Sequence, residues 1–152
     1  VIQLTPWGQR KVEDAKRKIS SQRRPVNAGR VVAELPLGFW TSMFESHYER
    51  PSAKFLPSAI KQVFPMLPKS KHNRKGIKLR LEQGRRLRNR VFHHERIVHW
   101  EDLSSQHKSI REVMRWISFD LDSIVALVDC FPRVYADGIQ PYLDQLKDGL
   151  SD

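Results

Sequence analysis

The residues from Lys75 to His94, KGIKLRLEQGRRLRNRVFHH, decide the fold class. Ile77, Leu81, Gly84, Leu87 and Val91 recur every three or four residues, the period of one helix face. Most positions between them are Lys or Arg, so the spacing predicts an amphipathic helix from about Lys75 to His94 with those five residues inward. Gly84 in mid-helix costs roughly 1 kcal/mol against Ala, which a closely packed second helix would accommodate.

Helical patterns continue on both sides. Thr5-Pro6 is a helix start, with Thr as cap and Pro at the first position. The helix then runs to about Ser21, with Val12, Ala15 and Ile19 inward. Asn27 caps the next helix, and Pro36 bends or breaks it. Leu35, Phe39 and Met43 form one apolar stripe and Trp40, Phe44 and Tyr48 another, which places this segment in the core. Four prolines between Pro51 and Pro68 leave room for one short helix, around Ser58 to Phe64. Downstream, Asp102 or Ser104 opens a helix with Ile110, Val113, Met114 and Ile117 inward. Ser118 or Asp120 opens another with Leu121, Ile124, Leu127, Val128 and Phe131 inward, and a last amphipathic piece spans Ile139 to Leu146. With no sustained alternating pattern and no repeat, the expectation is an all-α helical bundle. It forms a single domain over 1–152, with a core of about 5–135 and a C-terminal acidic helix in 136–152.

The chain of 152 residues is 39% hydrophobic and 29% charged, which fits one domain with a real core. Its longest apolar run, Ile124 to Val128, is far too short to span a bilayer. No signal peptide is read at the N-terminus. The single cysteine, Cys130, cannot form an internal disulfide and is read as a small core residue in a reducing, cytoplasmic setting.

The net charge of +10 is unevenly spread. Residues 69–96 carry eleven Lys and Arg against Glu82 and Glu95, whereas residues 119–152 carry seven Asp against Arg133 and Lys147. A basic stripe of this kind points to a polyanion. Lys75, Lys78, Arg85, Arg86, Arg90 and Arg96 are the candidate RNA-binding side chains, and a solvated helix face is the plainer account of the same charges.

Chemistry concentrates in Leu87-Arg88-Asn89-Arg90-Val91-Phe92-His93-His94-Glu95. Asn89 and His93 are four residues apart and share a helix face. Arg88 lies about 140° round the helix from His93, close enough for a long guanidinium to swing partway, with a two-fold copy supplying the rest. Attack of a ribose 2′-hydroxyl on its own phosphate needs a base, an acid and a cation. Imidazole does the proton transfers near neutral pH and guanidinium matches phosphate oxygens. Arg followed by His after four to six residues is weak evidence alone in so basic a chain. His94-Glu95 followed by His99 imitates a zinc-protease motif, but the second His is one position too late for the shared face.

The run Leu87 to Glu95 resembles the LRNRxxHHE signature of the Abi-like (abortive infection) family of the HEPN superfamily. Gly29 to Leu35 followed by Gly38-Phe39-Trp40 resembles that family's VxxLxxGFW block. Asp102-Leu103, His107, Trp116-Ile117 and Phe131-Pro132 follow in family-like order, so the resemblance covers roughly residues 5 to 135. It implies a HEPN-like bundle and a metal-independent ribonuclease, toxin-like in phage defence, working without a cofactor. It also implies a homodimer and allows for an antitoxin protein. Carried over, Arg88 is the phosphate-stabilising cation, Asn89 its polar partner, His93 the acid/base, His94 the second candidate and Glu95 the group that orients a histidine. Two departures stand out: Arg96 replaces the family's proline, and the family's N-terminal helical segment has no counterpart in this sequence. The alternatives are a non-catalytic RNA-binding or regulatory module, a helix-turn-helix repressor, and a helical adaptor for an acidic protein.

Overall fold

Capping side chains and prolines cut the chain into helices at the places where backbone chemistry demands it. The computed structural model describes residues 3–50, 56–71, 73–138 and 140–149. Among these the chain is all-α, a single helical domain with no strand. Its helices are α1 (Pro6–Ser21), α2 (Ala28–Glu34), α3 (Leu37–Ser42), α4 (Leu56–Val63), α5 (Arg74–Phe92), α6 (Leu103–Ile117), α7 (Phe119–Val128), α8 (Phe131–Asp137) and α9 (Gln140–Gly149). Two 3-10 turns, Ser46–Glu49 and Lys69–Lys71, lie between α3 and α5.

Thr5 Oγ1 accepts the Gly8 amide at 3.1 Å, with Pro6 opening α1 as its sequence requires. Asn27 Oδ1 accepts the Arg30 amide at 3.0 Å and starts α2. Leu35 is extended, with ψ 131°, because the ring of Pro36 clashes with a helical residue before it; α2 therefore ends and α3 begins anew. Asn73 Oδ1 accepts the Gly76 amide at 2.6 Å, which sets the start of α5.

The core gathers Leu35, Phe39, Met43, Phe44 and Tyr48 from the α3 region, with Ala15 of α1, Leu56 and Ile60 of α4, Phe64, Leu67, Ile77 of α5 and Trp116 of α6. Trp40 departs from its expected stripe and stays partly exposed, since α3 closes at Met43 and the chain turns into Ser46–Glu49. Ile77 is completely buried, worth about 2–3 kcal/mol by area removed from water. The inward face of α5 does not continue to its end: Leu81, Gly84 and Leu87 are half-buried and Val91 is exposed. The C-terminal part of α5 thus runs past the core.

α5 and α6 pack antiparallel. Arg80 Nε donates to Glu112 at 2.8 Å, Lys71 pairs with the same carboxylate, and Gly84 faces Ile110. Burial alone would raise the Glu112 carboxyl, but hydrogen bonds from Lys71 and Arg80 and their charges hold it below the usual carboxylate range.

α7 corrects the sequence reading. Ile124, Leu127 and Val128 are expected inward and instead are 63%, 85% and 74% exposed. Leu121 also faces out, and of the expected set Phe131 alone is partly covered. The buried residue of α7 is Asp122. Arg111 and Arg115, one turn apart on α6, both reach its carboxylate, and Arg111 also donates to the Asp122 backbone carbonyl at 2.8 Å. These two guanidiniums need an anion, so α7 is rolled with its carboxylate toward α6. Asp129 extends the network to Arg111 and to His107 Nε2, each at 2.7 Å, and the His107 ring stacks on Phe131 at 4.4 Å. Cys130, expected in the core, is exposed at the cap of α8. No helix among the described residues is long and apolar enough to cross a membrane.

Two outcomes follow from this packing. A Cβ at Gly84 would lie 3.5 Å from Ile110 Cγ1, an ordinary van der Waals contact. Gly84→Ala therefore stabilises the chain by about 1 kcal/mol in urea unfolding; destabilisation would mean the α5–α6 contact is tighter than this. Hydrogen bonds from Arg111 and Arg115 lower the Asp122 carboxyl against the opposing effect of burial. A carboxyl lowered in the folded state stabilises above its unfolded value near 4, and that contribution disappears as pH falls below it. The urea midpoint of the native chain should fall more steeply between about pH 5 and pH 3 than that of Asp122→Asn; parallel profiles would show that this carboxylate is not linked to folding.

Candidate active site and nucleic-acid interface

The cations of the basic stripe divide into two groups along α5. Toward its start they are consumed by packing. Arg74 donates to the Phe44 carbonyl at 2.9 Å and pairs with Glu49, and Lys78 pairs with Glu45 at 2.7 Å. Arg80 is held by Glu112 and lies over the Trp116 ring. Arg85 donates twice to Glu82, at 2.6 and 3.1 Å, with its stem against Gly38. Burial alone would raise Glu82, but hydrogen bonds from Arg85 and Thr41 and the charges of Arg85 and Lys78 lower it.

Lys75, at the start of α5, is the exception there: it is exposed, with no ion pair among the described residues. Past the core the cations face solvent, and Arg96 is exposed with no ion pair among the described residues. Arg86 lies over the Trp100 ring at 5.5 Å and Arg88 over the Phe92 ring at 4.0 Å. Such stacking orients a guanidinium while leaving its edge N–H groups free to donate. Arg88 also donates to Asn89 Oδ1 at 3.3 Å. Phe92 and Trp100 were not among the residues singled out from sequence; the four-residue spacing from Arg88 to Phe92 is the signal that identifies the first pair.

The His pair forms the end of the helix. α5 closes at Phe92, two residues before the sequence predicts, and His93 is its C-cap. The Glu95 amide donates to the Arg90 carbonyl and the His94 amide to the Val91 carbonyl, both at 3.0 Å. This is the Schellman arrangement, in which the residue after the cap is left-handed and is usually glycine. His94 occupies it with φ 55°. Both imidazoles are exposed, and neither makes a side-chain hydrogen bond among the described residues. In this chain the Glu95 carboxylate pairs with Arg90, and no hydrogen bond joins it to a histidine among the described residues.

Asn89, Arg85, Arg86, Arg90 and Glu95 line one open cleft with Leu79, Glu82 and Gln83. Arg88, His93 and His94 are not part of its wall. The guanidinium of Arg88 is turned onto Phe92, and among the described residues its hydrogen bond goes to Asn89, with none to His93 or His94. Among the described residues no three His, Cys, Asp or Glu side chains gather as a metal-binding group.

His94→Gly removes the left-handed penalty, so this variant should gain about 1 kcal/mol in urea unfolding. A loss of stability would mean that the His94 side chain has a partner that holds the turn.

Comparison with models of protein families, with the curated proteins and with the solved structures finds no match to this chain.

Proposed function

We propose that this chain is an Abi-like ribonuclease of the HEPN type, an abortive-infection effector that cuts RNA without a metal ion. The observation that carries the reading is the solvent-facing end of α5. There Arg88, Asn89 and His93 stand together in sequence, clear of the core, in the most basic part of the molecule. A core-packing role would have buried them.

The chemistry assigns one task to each group. His93 accepts the proton of a ribose 2′-hydroxyl as its oxygen attacks the adjacent phosphorus. The 5′-oxygen leaves and takes up a proton, giving a 2′,3′-cyclic phosphate and a 5′-hydroxyl. Arg88 neutralises the crowded phosphorane, and Asn89, whose carbonyl accepts from Arg88, fixes that guanidinium and keeps its own amide N–H groups for phosphate. Because Arg88 rests on Phe92 within one chain, the reading requires a second copy to bring guanidinium and imidazole together. Val91, Phe92 and Val98, exposed beside the motif, offer that copy an apolar contact. Lys75, Arg86 and Arg96 supply the cations that hold the RNA backbone.

The purified chain is expected to cleave RNA in excess EDTA, and Arg88→Ala or His93→Ala to slow cleavage by about 10²–10⁴-fold. His94→Gly should retain activity. Cleavage that EDTA abolishes, or that survives loss of both histidines, would falsify the proposal. The stacking of Arg88 on Phe92 favours a second reading, a non-catalytic RNA-binding module. RNA binding with a steep salt dependence and no cleavage would establish it.

A further inference from the structure

We infer that the cleft between α5, α6 and α8 is a binding track for single-stranded RNA, which leads to the end of α5 and stacks a base on the ring of Tyr135. The inference rests on the RNA reading of α5 and adds the form of the substrate and its route. The cleft encloses about 790 Å³, with Arg80, Gln83, Lys108 and Arg115 in its wall. Leu79 and Gln83, one turn apart on α5, also line the cleft of about 560 Å³ that contains Arg86, Asn89 and Arg90. The two clefts therefore adjoin along α5. From Leu79 to Asn89 the helix rises about 15 Å, and Asn89 is bonded to Arg88.

Two features fit this groove to an unpaired strand. The first is charge. The carboxylates in the wall are already neutralised, Glu112 by Lys71 and Arg80 and Asp129 by Arg111 and His107. Lys108 is exposed and has no ion pair among the described residues. Arg115 gives only its Nε to Asp122 among the described residues, and its side chain is 55% exposed. Both heads are left for phosphates. The second feature is a stair of rings. His107, in the cleft wall, stacks on Phe131 at 4.4 Å and 18°, and Phe131 stacks on Tyr135 at 5.3 Å and 20°. Asp129 holds the His107 end, and Tyr135 ends the stair 48% exposed. Bases of a single strand stack on aromatic rings of this kind, whereas a base inside a duplex already has neighbours on both faces. Rings beside unspent cations are the combination that holds single strands.

The test uses the full chain and a fluorescently labelled 2′-O-methyl RNA of about eight nucleotides. This probe lacks the attacking hydroxyl, so binding is read without cleavage. Saturable binding is expected, weakened about fivefold or more by Tyr135→Ala. Lys108→Ala should weaken it about threefold or more and lower the slope of log K against log salt by about 0.7, the share of one single-strand phosphate. Absence of binding, or binding that either variant leaves unchanged, overturns the inference. Tyr135→Phe keeps the ring and should bind as the native chain does; an equal loss there assigns the effect to the hydroxyl and rejects stacking. Equal affinity for a duplex of the same sequence rejects the single strand. Adenosine monophosphate that binds as tightly as the oligonucleotide means that the cleft takes a free nucleotide, and the track is rejected. Cleavage of unmodified RNA separates the two readings. If the variants weaken binding but no RNA is cut, the ribonuclease reading fails and the track stands; if RNA is cut and both variants bind and cut as the native chain does, the track fails alone.

Discussion

The packing of Ile77 against the core, with Trp116 of α6 in the same cluster, is the constraint on which the rest of the molecule depends. It anchors α5 by its first half only. A helix of 19 residues is about 28 Å long, more than this small core covers, so its remainder must stand beyond the apolar interior. The groups proposed to cut RNA are on that overhang. Had the apolar contacts continued to Val91, the His pair would close a buried helix end with no access for a polymer.

The anchoring also sorts the charges. Near the core, Glu45, Glu49, Glu82 and Glu112 take up Arg74, Lys78, Arg80, Arg85 and Lys71, so half of a stripe that looks uniformly basic in sequence serves as struts between elements. On the overhang carboxylates are scarce, and arginines turn to aromatic rings. Arg86 on Trp100 and Arg88 on Phe92 stay charged, oriented and hydrated, the state a phosphate-binding side chain needs. The helix ends where its backbone closes a Schellman turn, and His94 accepts a left-handed conformation there.

The opposite side of α6 follows a different logic. Its Arg111 and Arg115 draw in Asp122 and Asp129, and two ion-paired layers replace an apolar contact between α6 and α7. Such pairing costs desolvation that the mutual attraction has to offset. The consequence is that the most hydrophobic helix in the chain shows its apolar side to water.

Helix starts were legible in sequence because they are local: Thr5, Asn27 and Ser118 cap their own helices through side-chain hydrogen bonds, and Pro36 forbids a helical residue before it. The all-α class and the core stripe of Leu35, Phe39 and Met43 followed from periodicity alone. That Arg88, Asn89 and His93 lie toward the end of a basic helix was also readable from the charge run, but that this end is exposed was not, since the apolar period predicts Val91 inward and it faces solvent. The orientation of α7 and the company Arg88 keeps were not. An apolar period says which residues share a face, but the direction of that face is fixed by what the neighbouring helix offers, and α6 offers two guanidiniums. Arg88 likewise has several partners within its reach, and the fold selects Phe92. Sequence by itself therefore determined the elements and the chemical inventory of this protein. Tertiary structure decided which groups meet, because pairing energies depend on distances between residues far apart in the chain.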